Sequence, residues 1–185
     1  MNRPGFFFDR DGVVNIDPDP EPYVLSWDEW RWSPGIFELL REVKARGFLT
    51  ILVTSQRCVG KGLLRRDELA VIHRTMQAEL GELAFDDIRV YTGLPEDPVP
   101  PKPEPGMVLA AAQDHGIDLS RSWLIGDADR DISMAHAAGV AKTIRVEGLK
   151  AEVVPADYRV RQLSEVHGIL ADALGPCPPR YPRFG

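Results

Sequence analysis

The run Phe6-Phe7-Phe8-Asp9-Arg10-Asp11-Gly12 sets a short apolar segment, the pattern of a buried strand, directly before two carboxylates and a glycine. In a parallel sheet, ligands gather beyond the carboxyl ends of the strands. Two acids held there resist joint ionisation unless a cation joins them. A hard, oxygen-seeking ion such as Mg2+ is the simplest such cation, and an aspartate beside it can attack phosphorus to form an acyl phosphate. Complementary groups follow other apolar runs: Thr54 and Ser55 come after Phe48–Val53, and Asp127 and Asp131 come after Ser122–Ile125. Lys102 begins the helix that leads into that last strand. Hydroxyls and an ammonium suit phosphate oxygens and grouped aspartates suit a divalent ion, which is the division of labour that phosphoryl transfer requires.

These groups converge only if the chain folds as an α/β unit. Apolar strand-like runs alternate with amphipathic stretches, which predicts a Rossmann-like, mainly parallel sheet with helices on both faces. The predicted strands are Gly5–Phe8, Phe48–Val53, Ile88–Tyr91, Ser122–Ile125, Ala141–Val146 and Tyr158–Val160. Between them the pattern predicts a helix capped by Ser33, with Pro34 in its first turn, and closed by Gly47. Further helices are expected over Arg66–Leu80, Pro105–His115, Asp131–Ala138 and Leu163–Leu174. The Pro- and Asp-rich stretch Asn15–Trp32 is too long for a minimal turn. Residues 1–174 read as one domain with no separate cap domain, and the proline-rich tail 175–185 as an extended segment.

Bulk composition is compatible with this reading. The 185 residues suit a single domain of ordinary size, with 44% hydrophobic and 27% charged residues. A net charge of −6 without a long basic run argues against a general nucleic-acid binder. Cys58 and Cys177 have no ligand or framework spacing and fit a reducing compartment. No window is long and apolar enough to span a bilayer and no signal region precedes the first strand, so a cytoplasmic, membrane-free protein is expected.

The four motifs Asp9-Arg10-Asp11-Gly12, Thr54, Lys102-Pro103-Glu104-Pro105-Gly106-Met107 and Gly126-Asp127-Ala128-Asp129-Arg130-Asp131 resemble, in order and setting, those of the haloacid-dehalogenase-like phosphatases. The first and third look most like the small, capless branch that contains heptose-bisphosphate and histidinol phosphatases. The resemblance implies that Asp9 is the nucleophile and Asp11 the acid and base. It implies Mg2+ held by Asp9, Asp127 and the Asp11 backbone carbonyl. Thr54 and Lys102 would hold phosphate oxygens, helped by Ser55 and by backbone N–H groups near Arg10 and Asp11. Asp131 would orient Lys102 or the waters of the metal, with Gly12, Gln56 and Lys61 in support. The implied partner is a small phosphorylated metabolite, such as a sugar phosphate.

Departures from that branch fall where specificity is set. Its members often carry a zinc loop before the lysine motif, whereas Thr92–Pro101 has neither cysteine nor histidine, so no structural zinc is expected. Pro101 stands where an arginine commonly precedes the lysine, and Ser55 where an asparagine is usual. Other features carry bland readings. The histidines at 73, 115, 136 and 167 lie in predicted helices without mutual spacing; Cys58 reads as an inert thiol; Trp27, Trp30 and Trp32 read as burial. Asp129 reads as an acid facing solvent, and Lys61 and Arg57 are balanced between substrate contact and solvated charge. Two alternatives stay open: a polynucleotide end phosphatase, and a non-catalytic receiver-like domain phosphorylated on aspartate, against which Asp11 is the discriminating residue.

Overall fold

Side chains alternate across a strand, so a strand of three consecutive phenylalanines must be covered on both faces. In the computed structural model, which describes residues 2–17, 23–148 and 153–178, Phe6, Phe7 and Phe8 of β1 (Gly5–Phe8) are fully buried. Phe6 and Phe8 face one layer with α1 (Ile36–Ala45), α2 (Arg66–Leu80) and α5 (Val166–Leu174), contributing Leu40, Ile72 and Leu170 among others. Phe7 faces the opposite layer, with Met107 and Ala111 of α3 (Gly106–His115) and Ile132 and Ala135 of α4 (Asp129–Ala138). Each such aromatic contributes about 1.5–3 kcal/mol by burial.

The other strands are β2 (Leu49–Ser55), β3 (Asp87–Tyr91), β4 (Trp123–Gly126), β5 (Lys142–Val146) and β6 (Tyr158–Val160). All pair in parallel in the order β3-β2-β1-β4-β5-β6. The chain winds outward from β1 through β2 to β3, then returns to lay β4 against the other side of β1. The strand order therefore reverses between β1 and β4, the position at which open α/β sheets bind ligands. Phe8 stands opposite Leu52 and Ile125. That register brings Asp9, Thr54 and Asp127 to the same end of three adjacent strands.

Element boundaries differ from expectation in two places that matter. The first helix is capped by Gly35, at φ +87°, and starts at Ile36, because a left-handed turn follows Ser33-Pro34. The fourth helix starts at Asp129 rather than Asp131, which puts both acids in its first turn. Within the Asn15–Trp32 connection, residues 18–22 lie outside the described residues, as do 179–185 of the tail. Trp30 is buried and stacks on Trp27, while Trp32 packs edge-on to Trp30 and Phe37, as the burial reading requires. No helix among the described residues is long and apolar enough to cross a membrane.

At the amino ends of the strands one device appears twice. Asp86, just before β3, accepts from the Thr50 N–H (2.7 Å) and hydroxyl (2.9 Å). Asp157, just before β6, accepts from the Thr143 N–H (2.8 Å) and hydroxyl (2.9 Å). Burial works against ionisation of each, but the threonine donors and a neighbouring lysine hold both carboxyls below their ordinary value. A depressed folded-state pKa stabilises above the unfolded value near 4 and loses that contribution as pH falls through the folded one. Asp86→Ala and Asp157→Ala are each expected to cost about 1 kcal/mol at pH 7, or about 3 °C in Tm. Thermal melts should show the gap from wild type narrowing below about pH 4.

Candidate active site

Asp9 leaves the end of β1 with its backbone N–H still bonded to the Ile125 carbonyl (3.0 Å), so its side chain stands at the β1/β4 reversal. Lys102 reaches it from the loop before α3. The Lys102 Nζ is buried and donates to Asp9 Oδ1 at 2.6 Å and to Asp131 Oδ1 at 2.7 Å. Asp131 is completely buried, and its Oδ2 accepts from the Ala128 N–H (3.0 Å), closing the first turn of α4. Two glycines make this approach possible. A Cβ on Gly12, at φ +87°, would collide with the Asp127 carboxylate, and a Cβ on Gly126 would collide with the Asp131 side chain.

Carboxylate oxygens of Asp9, Asp127 and Asp131, all three residues buried, lie within 4.8 Å of one another. Against three such charges Lys102 supplies one. Burial, then Asp131, raises the Asp9 carboxyl; Lys102 pulls it down and Asp127 adds to the rise, leaving it near pH 7. Burial opposes the charge on Lys102, but Asp131 and Asp9 outweigh it and raise the ammonium above its usual value. Asp9 Oδ2 is buried with no hydrogen-bond partner among the described residues. A surplus of buried negative charge and an open carboxylate oxygen fit a hard divalent cation held by Asp9 and Asp127. Asp131 fits a different part, since both of its oxygens are already engaged.

Asp11 is turned into a separate network. Its carboxylate accepts from Arg10 (Nη2, 2.8 Å), Asn15 (Nδ2, 2.9 Å) and Gln56 (Nε2, 2.9 Å). Burial alone would raise the Asp11 carboxyl, but the Arg10 charge and these hydrogen bonds outweigh it and hold it below the usual range. Asp11 is thus not one of the three clustered carboxylates. Gln56 also donates to Thr54 Oγ1 (2.8 Å), so one buried amide aligns the β2 hydroxyl with Asp11. Ser55 Oγ is buried with no partner among the described residues.

The surrounding charged side chains take the following places. The Arg10 guanidinium is fully buried between Asp11, His73 (3.4 Å) and the Trp30 ring, so a phosphate contact from Arg10 is limited to its backbone. His73 is correspondingly not an isolated core histidine. Burial and then the Arg10 charge lower it to about 3, which keeps it neutral and able to accept from Arg10. Lys61 is exposed over the Tyr23 ring, 5.2 Å from its centroid, and Arg57 lies over Tyr91. Asp129 does not simply face solvent but pairs with the buried Arg145 of β5. Arg130, exposed in the first turn of α4, lies in the field of Asp131, Asp9, Asp127 and Asp11.

The loop before Lys102 is organised by Asp97. Its carboxylate accepts from the N–H groups of Thr92 (2.8 Å), Gly93 (2.7 Å) and Leu94 (3.2 Å) and from the Thr92 hydroxyl (2.7 Å). An anion inside the loop thereby cross-links its backbone. Its only sequence signal is an aspartate shortly after Thr92-Gly93, the composition of an Asx-type turn.

Comparison with known proteins identifies the family and the fold. A HAD-hydrolase-like family model matches residues 99–159. The D-glycero-β-D-manno-heptose-1,7-bisphosphate 7-phosphatase of Rhodopseudomonas palustris is 34% identical over 82% of this chain and 87% of its own. The corresponding D-glycero-α-D-manno enzyme of Burkholderia mallei is 34% identical over 79% and 81%. The crystal structure of the D,D-heptose 1,7-bisphosphate phosphatase of B. bronchiseptica, complexed with magnesium and phosphate, superposes with a TM-score of 0.74 at 27% identity. It covers 94% of this chain and 99% of that one. Such kinship removes the receiver-like alternative: the chain belongs to the haloacid-dehalogenase-like hydrolases, on the branch of the heptose-bisphosphate phosphatases, and is a phosphoric monoester hydrolase.

Proposed function

We propose that the protein is a Mg2+-dependent phosphatase of a small sugar phosphate, a heptose bisphosphate or a chemically close metabolite, working through an aspartyl phosphate on Asp9. The carrying observation is the buried Asp9 carboxylate, held on one oxygen by Lys102 and open on the other, beside Asp127. Mg2+, held by Asp9, Asp127 and the Asp11 carbonyl, would neutralise charge on the phosphate and on its attacking carboxylate. Two unit charges of like sign repel by roughly 4 kcal/mol at 4 Å near a protein surface. That barrier is what Lys102 helps to remove.

The residues divide the work as follows. The Asp9 carboxylate attacks phosphorus and the ester P–O bond breaks, while Thr54, Ser55 and Lys102 hold the phosphate oxygens, with backbone N–H groups of the Arg10–Asp11 turn. Asp11 gives a proton to the departing oxygen, then takes one from the water that cleaves the acyl phosphate. In the free protein Asp11 is a carboxylate; a phosphate seated beside it adds like charge and raises its proton affinity. Arg130, exposed in the first turn of α4, would draw an anionic ester toward the crevice.

A cavity of about 420 Å³ adjoins Gly12 and Asp127 and is also lined by Ile16, Ser33, Arg161 and Gln162. Its size suits the organic part of a small ester. A recess of about 460 Å³ among Pro4, Arg46, Trp123 and Lys142 lies at the strand starts, away from the acids. Pro101 and Ser55 stand where the branch usually has other residues and where specificity is set, so the substrate proposed here extends to metabolites close to heptose bisphosphate.

A phosphate-release screen over sugar phosphates and polynucleotide ends, with Mg2+, tests this function. Wild type is expected to act on sugar phosphates and not on polynucleotide ends. Asp9→Asn should fold normally by circular dichroism and lose about 10⁴-fold or more in kcat; substantial residual turnover would remove Asp9 from the nucleophile's role. Gly12→Ala pushes on Asp127, so the Mg2+ concentration for half-maximal rate should rise about tenfold. With Asp97 closing the Thr92–Pro101 loop internally, elemental analysis of the purified protein is expected to find no stoichiometric zinc.

A further inference from the structure

Among the described residues Arg145 is one of two arginines that are buried, and nothing in the chemistry above uses it. It stands on β5 opposite Gly126, which places its guanidinium beside the turn that carries Asp127 from β4 into α4. Nη1 donates to the Asp127 carbonyl (3.2 Å), and Nη2 donates to Asp129 Oδ1 and to the Val154 carbonyl (3.3 Å). Asp129 in turn accepts from the N–H groups of Val153 (2.9 Å) and Val154 (3.1 Å). Val153 is 83% exposed, so its backbone is tied down at a place where packing cannot hold it.

A buried ion pair adds little net stability over apolar residues of similar volume, because desolvation consumes the Coulomb gain. Its effect here is geometric. The pair connects three separate pieces of chain: the Asp127 turn, strand β5, and the segment entering β6. We propose that Arg145 and Asp129 form a positioning pair that fixes the Asp127 carboxylate for Mg2+ and fastens Val153 and Val154 ahead of β6. Arg145 lies on β5, the strand whose end at Val146 borders the 420 Å³ cavity. This rests on the reading of Asp127 as a metal ligand. Arg145 touches neither metal nor substrate; it acts through the Asp127 backbone.

Calorimetric Mg2+ titration of the purified protein tests the pair without reference to turnover. Arg145→Met is expected to weaken Mg2+ binding about tenfold, within the range for partners that orient metal ligands, and to lower Tm by stranding Asp129. The double variant Asp129→Leu/Arg145→Met leaves no unpaired charge and should recover thermal stability while Mg2+ affinity stays weak. Affinity that recovers together with Tm, or that never leaves the wild-type value, overturns the positioning role. A wild type that binds no Mg2+ overturns the metal reading and this inference with it, whereas unchanged affinity in the variants overturns the inference alone.

Discussion

The Lys102 ammonium, out of contact with solvent, lies between two buried carboxylates that belong to opposite halves of the sheet. Asp9 comes from the first strand and Asp131 from the helix after the fourth. A buried ammonium without partners would surrender its proton, and two buried carboxylates without a cation would not both stay charged. Burial and like charge push the Asp9 carboxyl toward its neutral form while Lys102 favours its charge, and the carboxylates in turn hold the Lys102 ammonium above its usual value. The triad holds the β1/β4 reversal closed at its carboxyl end, where no hydrophobic layer can reach. Three carboxylates and one ammonium still leave an excess of negative charge. The fold thus presents a stable but electrostatically incomplete cluster, which is the condition for taking up a divalent cation.

Around this cluster the protein keeps its acids chemically distinct. Asp9 is raised toward neutral pH by burial and like charge. Asp11, two residues later, is kept ionised by Arg10, Asn15 and Gln56. The separation comes from the turn at Arg10–Asn15, which sends the Arg10 guanidinium back under the turn to His73 and Trp30 rather than toward the crevice. A cation on Asp9 and a phosphate beside Asp11 would each reverse these directions, as an anionic nucleophile and a proton donor require. The structural cost of such a site is carried by small residues, Gly12 and Gly126, where a side chain would occupy the space of an acid.

Much of this was legible in the sequence because it depends on local pattern. Phe6-Phe7-Phe8 before Asp9 marks a doubly covered strand that ends in chemistry, and the alternation of apolar runs with helical stretches dictates the parallel sheet that gathers Thr54, Lys102 and Asp127. What escaped is what depends on tertiary pairing. Asp129 read as a solvent-facing acid because its partner Arg145 is remote in sequence and lies on another element. His73 read as an ordinary helix histidine because only the folded chain puts Arg10 against it. Gly35 displaced Ser33 as the helix cap because a left-handed turn, rather than a hydroxyl, directs the chain into α1. Asp97 binds its own loop through backbone N–H groups, and such an interaction leaves almost no residue pattern to read.

In the proposed reaction a carboxylate oxygen of Asp9 accepts the phosphoryl group while Lys102 and Asp127 hold charge around it. The most direct measurement is rapid acid quench during turnover with Mg2+ and a reactive sugar phosphate, followed by peptide mass spectrometry. A phosphoryl increment on the peptide containing Asp9, assigned to Asp9 after borohydride reduction, is the predicted result. Turnover with no trapped increment at any quench time, or with the increment on Asp127 or Asp131, would contradict it.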